Sequence, residues 1–153
     1  MRHTRAEVIK RVNAEYRRLD RLVSKLSAEQ WRRRVPRPET KDPWTVKDVL
    51  AHITFWKWGV MLSARGERRP KESGFNITDG NRMIYKRWRT KSPREVLNWH
   101  RQVHRDLMKT LREAPNKWFT RPGRPEDFPF DADGHSSMHR VQDIERALGK
   151  VSK

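Results

Sequence analysis

Six histidines and no cysteines bound the chemistry open to this 153-residue chain. Without thiolates there are no disulfides, no cysteine nucleophile and no sulfur-based zinc site, so any metal must be held by His, Asp or Glu. His135 and His139 form an H-x-x-x-H pair. On a helix such residues stand one turn apart on the same side, a spacing by which two imidazoles can grip one ion. His52 lies three residues past Val49 and four before Trp56 in the stretch WTVKDVLAHITFWKW, residues 44–58, at or beside an apolar stripe. A buried imidazole must hydrogen-bond, bind a metal or reach a cleft, because an unpaired buried polar group costs on the order of 1–3 kcal/mol. Two readings stay open for His52: a satisfied core histidine, or the third ligand of a facial site with open positions for water or substrate. A metal in such a site lowers the pKa of bound water or thiol. His100 and His104 repeat the pair spacing and show how unspecific it is; they read as histidines flanking a core face or solvent. At roughly 100° per residue, Met138, Val141, Ile144 and Leu148 centre well round the helix from His135 and His139, so that pair borders a cleft more readily than it enters the core. No Ser–His–Asp or paired-carboxylate arrangement competes for catalysis.

These residues need elements to position them. Thr4 with Glu7 starts a long first helix whose apolar face runs Val8, Val12, Tyr16, Leu19, Val23 and Leu26, ending near Ser27. Ser27 and Gln30 start a short turn, and the polar, Pro-broken segment 32–43 follows. Thr45 with Asp48 caps the second long helix, which carries Val46, Val49, Leu50, Ile53, Trp56 and Val60 to a left-handed terminator at Gly66. Residues 66–80 lack a sustained period and read as a crossover, with a short helix over 81–89. Ser92, Pro93 and Glu95 start the third long helix, stopped by Pro115. Residues 115–134 are irregular, with Trp118, Phe119, Phe128 and Phe130 as anchors. The last helix spans about 135–148 and ends at Gly149. The pattern predicts an all-α protein, a four-helix bundle with a long crossover between its second and third long helices, forming one domain over residues 1–153.

Lys and Arg number 36 against 19 Asp and Glu, a formal charge of +17. That charge attracts polyanions at low salt. The basic residues are nevertheless dispersed over several segments and lack a Gly-rich phosphate loop or an RNP-like aromatic motif, so nucleic acid is a weaker expectation than a basic solvated surface. No apolar run approaches the roughly 20 residues that span a bilayer, and no apolar core follows the charged N-terminus. The expectation is a cytoplasmic protein with no membrane partner.

The stretch WTVKDVLAHITFWKW resembles the second-helix signature of the DinB-like four-helix bundle proteins, and GHSSMHRVQDIERAL resembles their last helix. The segment NRMIYKRWRTKSPREVLNWHRQVHRDLMKTL is similar to the branch called ClbS or DfsB. The resemblance implies a divalent metal held by His52, His135 and His139, zinc and nickel both suiting imidazole. It implies a cleft between the second and fourth long helices, in which the metal activates water or a low-molecular-weight thiol against a small electrophilic substrate, as a hydrolase or S-transferase. ClbS-type members do not all keep the metal triad and are associated with ring opening by water. A homodimer is a further expectation, since relatives often pair through helix faces. Ser136, Ser137 and Met138 stand where the family often has an aromatic and an acid, which bears on the substrate more than on the fold. Trp44, Trp56, Trp118 and Phe130 are candidates for the apolar wall of the substrate pocket, with core packing the competing role. A non-enzymatic basic protein binding a polyanion is the alternative.

Overall fold

The computed structural model describes residues 4–35, 41–68, 70–74, 76–116, 119 and 135–149, with backbone alone for 63, 73, 74, 77 and 135–140. Its helices are α1 (Arg5–Val23), α2 (Ala28–Trp31), α3 (Val46–Ala64), α4 (Ile77–Trp88), α5 (Pro93–Glu113) and α6 (His135–Ala147), with a 3-10 turn at Lys71–Gly74. Among the described residues the only β pairing is an isolated antiparallel bridge, Arg34 with Thr45. The chain is all-α, as its periodicity requires.

The helix starts follow from local hydrogen-bond chemistry. Thr4, Ser27 and Ser92 each accept from the amide three residues on while Glu7, Gln30 and Glu95 reach back to the cap amide. At α3, the Thr45 amide donates to Asp48 Oδ2 at 2.9 Å. Each box satisfies two amides that a helix start otherwise leaves open, worth about 1 kcal/mol per cap. Gly66 and Gly149 adopt φ of 72° where the chain leaves α3 and α6, the left-handed turn expected of each.

One start differs from the sequence expectation. α4 begins at Ile77, four residues before Asn81, because Asn76 caps it by accepting from the Asp79 amide at 2.9 Å. Gly80 reads as a breaker but sits inside the helix. A Cβ there would lie 2.9 Å from the Glu72 carbonyl oxygen, so the glycine lets the 3-10 turn press against α4.

Two apolar clusters fill the bundle and fix its directions. One joins Leu19 and Val23 of α1, Val46, Val49, Leu50 and Ile53 of α3, Val96 of α5, and Val141 and Ile144 of α6 with Leu148 just after it. The other joins Val8 and Val12 of α1, Val60 and Met61 of α3, and Leu107, Met108 and Leu111 of α5, with Phe119. The late part of α1 therefore meets the early part of α3, and these helices are antiparallel. The early parts of α3 and α5 share one cluster and their late parts the other. Those two helices are parallel, which is why the long crossover through α4 exists.

Long side chains tie the elements further. Arg5 donates to the carbonyls of Leu111, Arg112 and Ala114, closing the end of α5. Lys47 donates to the Trp88 and Arg89 carbonyls at 3.0 and 2.8 Å, fixing the C-terminus of α4 on α3. Arg18 of α1 pairs with Glu145 of α6.

Candidate functional site

His52 stands on α3 with 5% of its surface exposed. The bridge between Arg34 and Thr45 turns the chain back, with the Val35 amide donating to the Trp44 carbonyl at 2.9 Å, and this sets Trp44 beside the helix it precedes. The Trp44 ring meets His52 edge-on at 5.2 Å between centroids, and Trp56 meets it from the following turn at 6.2 Å. Trp44 is 1% exposed and lies parallel to Tyr85 of α4 at 5.7 Å, so packing accounts for it. Trp56 is half-buried and is the better candidate for a wall open to a small molecule.

The imidazole of His52 is thus held in an aromatic frame on the half of α3 that α6 covers. Val141 belongs to the same apolar cluster as Val49 and Ile53, the neighbours of His52 along α3. His139 precedes Val141 by two residues on α6, and His135 opens that helix. The side chains of His135 and His139 lie outside the described residues, as do Trp118 and Phe130. Among the described side chains no group of three or more His, Asp or Glu is placed to hold a metal ion.

Sequence reasoning passed over a second assembly. His100, read as a flank of the core or solvent, is 3% exposed and lies between the two apolar clusters, together with Tyr16, Lys57 and His104. The Tyr16 ring stacks on His104 at 3.6 Å and on His100 at 4.9 Å. His100 Nε2 lies 3.2 Å from Asp20 Oδ1, which also accepts from Arg101 Nε at 3.3 Å. Since the carboxylate accepts, His100 donates from Nε2. Burial, followed by the nearby Lys57 ammonium, holds His100 down to about 3 and His104 to about 4, and Asp20 offsets this only in part. Both histidines are neutral at neutral pH, and the contact with Asp20 is a hydrogen bond and not an ion pair. Burial, then the Asp20 charge, pushes the Tyr16 hydroxyl above its ordinary range. A buried ammonium beside these histidines disfavours a cation there.

A signal for this layer was present in the chain. His100 continues the Val96–Val103–Leu107 stripe, Tyr16 sits between Val12 and Leu19, and Lys57 between Ile53 and Val60. One polar residue occupies a core position in each of three helices.

An all-α bundle with a long crossover, an aromatic-framed histidine on its second long helix and H-x-x-x-H opening its last helix defines a DinB-like protein. Residues 12–142 match the family model of the mycothiol maleylpyruvate isomerase N-terminal domain, and the chain belongs to that family, within the DinB-like superfamily. The match does not single out the ClbS or DfsB branch. No curated protein and no solved structure matches the chain.

Proposed function

We propose that the chain is a metal-dependent enzyme acting on a small electrophilic molecule, with His52, His135 and His139 as the ligands of a divalent ion. The observation that carries this reading is the burial of His52 in its frame of Trp44 and Trp56, on the part of α3 that shares a cluster with α6. The donor set suits the ion: three imidazoles match zinc or nickel. When bound, the metal supplies Lewis acidity that raises the fraction of thiolate or hydroxide. The chain's own residues do the rest. The indoles orient the His52 ring and keep water from its flanks, and half-buried Trp56 offers an apolar surface to the substrate.

Membership in the mycothiol maleylpyruvate isomerase family favours a low-molecular-weight thiol as the activated nucleophile, giving S-transfer or thiol-assisted isomerisation; hydrolysis follows if water takes its place. The test is elemental analysis of natively purified protein. About one zinc or nickel per chain is expected, falling together in His52→Ala and His139→Ala while the far-UV circular dichroism stays helical. Protein purified without chelators that carries no stoichiometric metal and takes up none in titration would overturn the triad, leaving a metal-free hydrolase of the ClbS type as the enzymatic alternative.

A further inference from the structure

A recess lies on the crossover. An open depression of about 810 Å³ is lined, among the described residues, by Arg68, Lys71, Glu72, Met83, Lys86 and Arg87. At about 100° per residue, Met83, Lys86 and Arg87 share an arc of roughly 100° on α4, with Tyr85 facing the other way. Tyr85 packs on Trp44 and so looks toward His52. The depression is on the opposite side of α4 from the histidines.

We propose that this depression binds a multiply charged phosphate-type anion. Four cations against one carboxylate, Glu72, give the described lining a net charge of +3, matching the two to three negative charges of a phosphate or diphosphate group. Arg68, Lys71 and Lys86 have no acidic partner among the described residues. Lys10, Arg21 and Lys109 likewise lack an acidic partner among the described residues, and what sets Arg68, Lys71 and Lys86 apart is that one depression gathers them with Arg87.

The fourth cation is held in place. Arg87 donates from Nη1 to Glu72 Oε1 at 3.0 Å, and its guanidinium lies over the rings of Trp58 and Trp88 at 5.9 and 5.6 Å. Trp88 in turn stacks on Trp99 of α5 at 3.9 Å. A guanidinium fixed along one edge and one face keeps its remaining N–H groups for a bidentate contact, the geometry that suits phosphate oxygens. The floor is rigid as well, since Gly80 brings α4 against the Glu72 carbonyl. Glu72 is 2% exposed, and its Oε2 is buried without a hydrogen bond among the described residues. That oxygen accepts from a ligand O–H, such as a protonated phosphate oxygen or a hydroxyl beside the phosphate.

The experiment titrates the full chain with inorganic pyrophosphate at 150 mM salt, read by amide chemical shifts. Saturable shifts are expected at Lys71, Gly80, Met83 and Lys86. Lys71→Gln/Lys86→Gln changes two exposed residues, and its affinity should fall by roughly tenfold or more. The matched variant Lys10→Gln/Arg21→Gln removes the same charge from exposed positions on α1 and should bind as the parent does. Non-saturating or scattered shifts would overturn the proposal, as would equal loss in the two variants, the outcome for a general polyanion coat. Succinate binding as tightly as pyrophosphate would overturn the phosphate assignment.

Discussion

The neutral histidine pair beside Lys57 makes stability depend on pH with a definite sign. His100 at about 3 and His104 at about 4 lie below the ordinary 6.5, so the unfolded chain takes up protons first as pH falls. Their contribution is complete above about 6.5 and is lost progressively down to about pH 3. Asp20 favours protonation, while Lys57, Arg17, Arg101 and Arg105 surround the pair with positive charge. The loss between pH 7 and 4.5 should be about 2–4 kcal/mol, after discounting the half-buried His104 for solvent screening. Urea denaturation across that range checks it: His100→Gln/His104→Gln should show a shallower decline than the parent, and parallel declines would refute the assignment. His52 is the plainer case: its place in the apolar stripe of residues 44–58 predicts burial, and the structure leaves it 5% exposed. His100 continues the Val96–Val103–Leu107 stripe, but the i, i+4 spacing with His104 does not say which way the pair turns, and the Tyr16 ring against both decides it.

At the scale of elements, the caps carried most of what could be known in advance. Thr4, Ser27, Thr45 and Ser92 mark four helix starts because each side chain competes locally for its own amides. The start of α4 escaped notice because Gly80 breaks a helix by propensity and is kept by a contact with a segment that carries no period of its own. Two glycines therefore give opposite outcomes. A methyl added at Gly59 in α3 would meet no atom of the described residues within 4 Å, so Gly59→Ala should stabilise by about 0.5–1 kcal/mol through helix propensity. Gly80→Ala gains the same propensity but drives a methyl to 2.9 Å from the Glu72 carbonyl oxygen, and a net loss of about 1–3 kcal/mol is expected. Chemical denaturation of both variants measures the difference. A stabilised Gly80→Ala would mean that the 3-10 turn yields freely.

At the scale of the whole molecule, the two apolar clusters and the layer between them were only partly legible. Each helix's stripe gave its own core face, but which stripes meet at one level depends on the crossover, whose length is visible and whose path is not. Replacing both partners of a buried polar contact by apolar groups of the same shape can be nearly neutral or stabilising. Lys57→Met/His100→Leu/His104→Leu should thus resist urea at least as well as the parent, while its amide spectrum broadens and its near-UV circular dichroism weakens. A triple variant with sharp, dispersed signals would show that apolar shape alone defines the packing. The reason lies in helix registry. Four smooth apolar stripes could slide past one another by one turn, about 5.4 Å, at small cost. Here such a slip would drive Lys57 or His100 in among leucines and strand Asp20 from its imidazole, so the polar layer acts as a detent that gives the bundle a single alignment.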